Sequence, residues 1–227
     1  MIKSDDELIW SPIVLNSRMN RSRTSSGINS YEKEFKFKPE EFLSNILHTK
    51  ANASWLDICC GEGKALINCG RYFIQKQQNH SLQFIGIDLI DAFEETDSNL
   101  DFISFKVGSI NDIELNGKFD LITCVHGLHY IGDKLGTIEK AINHLNENGL
   151  FIANLDLDNL KIENEHAKNY FQKLFKKKGI QYNSRTKILK FNGKNKIQFD
   201  LEYLGADDTC GPNYTGQDAV LSFYKCV

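Results

Sequence analysis

The stretch "SWLDICCGEGKAL" (Ser54–Leu66) joins an apolar run, Trp55-Leu56-Asp57-Ile58, to Cys59-Cys60-Gly61-Glu62-Gly63. A short apolar run halted by glycines is a buried strand entering a turn. Residues 62–78 continue with Leu66, Ile67, Cys69, Gly70 and Phe73 at helical spacing. Strand, glycine turn and helix in that order form a ligand corner. Ligands of open α/β sheets bind at the carboxyl ends of the strands. Glycine lets backbone approach a ligand without a Cβ in the way, and a helix start offers free N–H groups.

Working outward, the alternation continues. Pro39-Glu40-Glu41 opens a helix carrying Phe42, Leu43, Ile46 and Leu47. "LQFIGID", ending at Asp88, is a second strand, followed by at most a short helix over 91–98. "LDFISFKV" and "KFDLITCV" are the third and fourth strands, and residues 133–146 a helix stopped by Asn148-Gly149. "GLFIANL" is the fifth strand, and 164–178 an amphipathic helix. This pattern predicts an α/β fold with a mostly parallel sheet covered by helices on both faces. In the tail, "TKILKF", Asn192-Gly193 and "KIQFDLEYL" predict a hairpin, and "AVLSFYKCV" a last strand, so antiparallel strands join at the C-terminal end. Residues 1–38 are expected to form an N-terminal arm or lid and residues 39–227 a single domain.

Composition narrows the classes. The 227 residues are 41% hydrophobic, enough for a core, and contain no run long and apolar enough to span a bilayer. "MIKSDDELIW" carries acids where a signal peptide starts basic, so a cytoplasmic protein is expected. The six cysteines show no CxxC spacing, which argues against zinc and against a disulfide framework; no metal is expected. A net charge of −3 argues against a dedicated nucleic-acid binder. Residues 161–196 are nonetheless rich in lysine, either as a solvated face or as a docking surface for an acidic partner.

Three ligands compete for the glycine turn. A P-loop needs a Ser or Thr after its lysine, and here Ala65 follows Lys64. A dinucleotide fingerprint needs a third glycine, and Leu66 stands there. The stretch does resemble the first motif of class I S-adenosylmethionine-dependent methyltransferases, acid-x-Gly-x-Gly-x-Gly. Asp57 matches the acid, Gly61 and Gly63 the last two glycines, and Cys59 replaces the first. "KFDLITCVHGLHYIGD" and "LNENGLFIANL" resemble later motifs of that family, and the resemblance spans roughly residues 40–160.

The resemblance implies a seven-stranded sheet whose last strand pair is antiparallel, and S-adenosylmethionine as cofactor, with S-adenosylhomocysteine as product. Asp57, Cys59, Gly61 and Gly63 would lie at its amino-acid end. Asp88 would bind both ribose hydroxyls, with Leu89 beside it. The family often carries an acid for the adenine amino group after the third strand; this chain has Ser109 there, with Asp112 three residues on and the backbone of Ile110 nearby. Cys124 and Val125 would close the pocket at the end of the fourth strand.

His129 and His126 stand where an acid or base is needed, because a hydroxyl or ammonium acceptor must lose a proton whereas a carboxylate need not. Arg18, Arg21 and Arg23 of the polar stretch 11–34 offer bidentate contacts to a carboxylate, and Tyr31 a lid over the cofactor. Tyr130, and Asn213 and Tyr214 in "GADDTCGPNYTGQ" (Gly205–Gln217), are further candidates for substrate contact. The expectation is a methyltransferase for a small molecule or peptide, acting on oxygen, with a carboxylate among the candidate acceptors. Methylation of a peptide or amine nitrogen, methylation of RNA through the basic face, and non-catalytic cofactor binding remain alternatives. A monomer or homodimer is expected, with no membrane partner.

Overall fold

The computed structural model describes residues 2–15, 22–78, 82–163 and 165–227. Arg18 and Arg21 lie outside the described residues. Strands β1 (Ala53–Ile58), β2 (Leu82–Asp88), β3 (Ile103–Val107), β4 (Phe119–Cys124) and β5 (Leu145–Asn154) run parallel. Two later strands, β8 (Gln181–Asn183) and β9 (Ile188–Asn192), extend the sheet in the order β3-β2-β1-β4-β5-β9-β8: β9 pairs antiparallel with β5, and β8 pairs antiparallel with β9. β1 and β4 are buried at every position, as central strands covered on both faces must be.

The period-two alternation of these strands sorts their side chains into two cores. Trp55, Phe84, Leu121 and Ile152 face one side, packed under α3 (Pro39–Thr49) and α4 (Lys64–Gln75). Leu56, Ile122, Phe151 and Ala153 face the other, under α5 (Lys134–Asn143) and α6 (Lys168–Lys177). The short helix α2 (Tyr31–Phe35) buries Tyr31 and Phe35 in the first core, beside Trp55. Its Ser30 N-cap accepts the Lys33 N–H.

Several sequence expectations are corrected. Residues 91–98 form no helix, and Phe93 stacks on Phe105 with ring centroids 4.6 Å apart. Asn148-Gly149 does not stop α5. The helix ends at Asn143, β5 begins at Leu145, and 146–149 bulge between two registers against β4. Asn192-Gly193 turns no hairpin. The Gly193 and Lys194 N–H groups donate to Gly149 and Glu147, and Ile197 and Phe199 then plug the core. The real hairpin is β8–β9, turned by Asn183, whose Oδ1 accepts the N–H groups of Arg185 and Thr186.

β10 (Leu201–Asp207) and β11 (Leu221–Cys226) therefore belong to a second sheet, in the order β10-β11-β6-β7, with β6 at Leu160–Ile162 and β7 at Glu165–His166. The chain's first residues join it. Lys3 pairs with Ala206 through two backbone hydrogen bonds of 2.7 and 2.9 Å. Helix α1 (Asp5–Leu8) follows, held at its start by the Glu7 carboxylate, which accepts the Ser4 N–H at 2.8 Å. No helix among the described residues is long and apolar enough to cross a membrane.

Candidate active site

At the carboxyl ends of β1, β2 and β4 the structure opens a cleft. About 780 Å³ there is free of protein atoms, part of it open to solvent. Its floor is the turn after β1. Cys59 lies in the left-handed region (φ 56°), a conformation that costs a residue with a Cβ about 1–2 kcal/mol, and the backbone there takes the shape a glycine would take. Gly63 caps α4 at φ 74°, and a Cβ on it would lie 2.3 Å from the Phe105 ring. The turn is tied to β2 twice: Cys60 N–H donates to the Ile87 carbonyl, and Gly61 N–H donates to Asp88 Oδ2 at 2.8 Å.

The cleft brings together Cys59, Gly61, Asp88, Leu89, Val125, His126, Tyr130 and Tyr31, with Arg23 and Gln217 at its mouth. It continues into a second hollow lined by Ser109, Ile110 and Asn111, and by Asp5 and Leu8 of α1. Asp57, Gly63 and Cys124 stand behind the wall. Asp57 is fully buried; its Oδ1 accepts from Thr123 Oγ1 (2.5 Å) and its Oδ2 from the Tyr31 hydroxyl (2.7 Å). Burial pushes its pKa up to about 7. Cys124 touches Cys59, and their thiol contact, with burial, holds the Cys59 pKa well above the usual thiol value.

The two histidines part company. His126 lies on the cleft wall at φ 58°, fixed by its N–H donating to Asn154 Oδ1. Its Nε2 meets Glu34 Oε2 of α2 at 3.1 Å, and Arg23 Nε stands 3.4 Å from Glu34 Oε1. The His126 bond holds the Glu34 carboxyl below its usual pKa. His129 is 0% exposed, off the cleft wall, with its ring 5.5 Å from that of Tyr214. Burial, then the charges of His126, Lys134 and Lys187, push its pKa down to about 3, so it is neutral.

Tyr130 donates its hydroxyl to Gln217 at 2.8 Å, and Asn213 turns the outer loop by accepting from Thr215. Tyr214 is exposed above the histidines, with Lys187 Nζ over its ring. Among the lysines of 161–196, Lys168, Lys178 and Lys187 pair with Asp158, Asp200 and Asp156. Sequence reasoning missed Glu34, Gln217 and Asp5. A signal for Glu34 existed: it follows Tyr31 by three residues, so a helix there puts both on one face.

A methyltransferase domain family matches residues 31–192, some 70% of the chain. The chain belongs to that family. That family is described as a methyltransferase domain. Among solved structures it is similar to CalS10, an amino pentose methyltransferase from Micromonospora echinaspora involved in calicheamicin biosynthesis, at 19% identity over 50% of this chain and 47% of that one (TM-score 0.37). It is similar to the N-methyltransferase NodS from Bradyrhizobium japonicum WM9 at 14% identity over 84% and 96% (TM-score 0.44). It is also similar to the plantazolicin methyltransferase BamL at 22% identity over 53% and 44% (TM-score 0.39). The methyltransferase spans less than half the length of CalS10 and of BamL. No curated protein matches it.

The donor set of the cleft fits the cofactor. S-adenosylmethionine would meet a carboxylate at Asp88 for its sugar hydroxyls, backbone at Gly61 for its amino-acid end, and a mostly apolar hollow beyond Leu89 for its base. The turn is also closely packed: a Cβ on Gly127 would lie 2.5 Å from that of Cys59.

Proposed function

We propose that this methyltransferase methylates a hydroxyl oxygen of a small molecule or peptide, with His126 as general base and Glu34 as its partner. The observation that carries the reading is the 3.1 Å contact of His126 Nε2 with the Glu34 carboxylate on the cleft wall. The bound cofactor supplies an electrophilic methyl group on a sulfonium. Asp88, Gly61, Cys59, Leu89, Val125, Ser109 and Ile110 would hold it, and Asp57 acts one layer back by fixing Tyr31.

His126 takes the proton of the acceptor hydroxyl as that oxygen attacks. The Glu34 carboxylate faces the imidazolium so formed, and a carboxylate kept ionised stabilises it. Arg23 steadies Glu34 from its other oxygen. Tyr31 and the mouth residues exclude water and hold the acceptor against the methyl group, which methyl transfer demands. A carboxylate acceptor needs no base, so the pair favours a hydroxyl; an amine acceptor would use the same base. Tyr130, Tyr214 and Asn213 belong to the acceptor side, and residues before α2 to the lid.

The test is transfer of labelled methyl groups to extracted metabolites and peptides by wild type, His126→Gln and Glu34→Gln. His126→Gln is expected to lower turnover roughly a hundredfold or more while cofactor affinity stays unchanged. Wild-type turnover in both variants, or parallel loss of cofactor binding, refutes the assignment.

A further inference from the structure

The hollow beyond Leu89 has an unusual source of polarity. Its walls are apolar, from Leu8, Leu89 and Ile110. The loop after β3 brings it no carboxylate. Ser109 Oγ accepts the Asn111 N–H, and Asp112 is exposed and off the wall. The carbonyls of Ile110, Asn111 and Ile113 are taken by Lys140 Nζ at 2.7, 3.1 and 2.7 Å. Among the described residues, two acids line this hollow, Asp88 and Asp5.

Asp5 comes from the other end of the sequence and is firmly placed. Its Oδ1 accepts from the Tyr203 hydroxyl at 2.8 Å, and its Oδ2 from Asn111 Nδ2 at 3.0 Å. Asn111 is itself held by Thr137, which donates to its Oδ1 at 2.8 Å. Each carboxylate oxygen accepts more than one hydrogen bond, so Asp5 keeps capacity for a ligand donor. We propose that Asp5 is the residue that recognises the adenine amino group of the cofactor, so that the N-terminal helix confers base specificity on the site. The inference rests on seating the cofactor with its sugar at Asp88.

The test compares binding of S-adenosylhomocysteine and S-inosylhomocysteine by calorimetry, with no acceptor present. The inosyl compound carries a carbonyl oxygen where adenine carries its amino group, and that oxygen would face the Asp5 carboxylate. Wild type is expected to prefer the adenosyl compound by roughly 10- to 100-fold. In Asp5→Asn the amide can donate to the carbonyl, so the preference should vanish or reverse. A preference unchanged in Asp5→Asn, including equal weakening of both ligands, overturns the role. Asp88→Ala separates the two layers. If it leaves both affinities intact, the seating itself fails and the inference with it. If it weakens both while Asp5→Asn keeps the preference, the Asp5 role alone is overturned.

Discussion

Tyr31→Phe removes one hydroxyl, and its cost should depend on pH. That hydroxyl donates to Asp57 Oδ2 at 2.7 Å, with both groups buried, and Thr123 Oγ1 donates to the other oxygen. Burial raises the Asp57 pKa from 3.8 to about 7, although Thr123 and Tyr31 pull it down. A carboxyl whose folded pKa lies above its unfolded value favours the native state when protonated; stability falls as pH rises from about 4 to about 7 and is level above that. Well below pH 7 the variant loses a bond to a neutral carboxyl, about 1 kcal/mol; well above it, a bond to a carboxylate, about 1.5–3 kcal/mol. The destabilisation should therefore grow by about 0.5–2 kcal/mol between roughly pH 5.5 and 8.5. Denaturant unfolding at the two pH values measures it. Trp55, buried with its ring 6.0 Å from that of Tyr31, is the reporter, in a Trp10→Phe background that silences the exposed second tryptophan. Equal losses at both pH values would show that Asp57 does not change charge in that interval, or that the hydroxyl does not serve it.

Asp88→Ala should weaken cofactor binding by about 1–3 kcal/mol in calorimetry, because charge-assisted bonds to the sugar are lost; unchanged affinity would remove Asp88 from the site. His129→Phe should flatten acid unfolding. A histidine whose folded pKa is pushed down to about 3 contributes stability above its unfolded value of 6.5 that drains away as pH falls, about 2 kcal/mol between roughly pH 7 and 5. An identical slope in wild type and variant sinks that account. Gly63→Ala should cost at least about 1 kcal/mol in thermal unfolding, since the new Cβ meets Phe105 and the backbone is left-handed; wild-type stability would contradict the packing.

Much of the sheet was legible because β1, β4 and β5 are apolar runs bounded by turns, and the glycines at 61 and 63 marked the turn that floors the cleft. The tail was not. Asn-Gly between apolar runs is a local signal, and it was overruled by distant partners: Gly149 captures Gly193, and Ile197 and Phe199 are drawn into the core. The two histidines looked equivalent because three residues separate them. What divides them is the positive φ of His126, which puts it outside the short 3-10 turn that buries His129. Glu34 and Asp5 escaped because what brings them to the cleft is contact with residues some 90 and 100 positions away, at His126 and Asn111.

The pairing of Lys3 with Ala206 has a kinetic consequence. It closes a loop of about two hundred residues, and such closures carry entropy that shorter-range pairings do not. The β1–β5 scaffold can condense from neighbours close along the chain, whereas the second hollow, lined by Asp5 and Leu8, comes into being only when the first residues find their distant strand. Refolding should restore core fluorescence before it restores nucleoside binding.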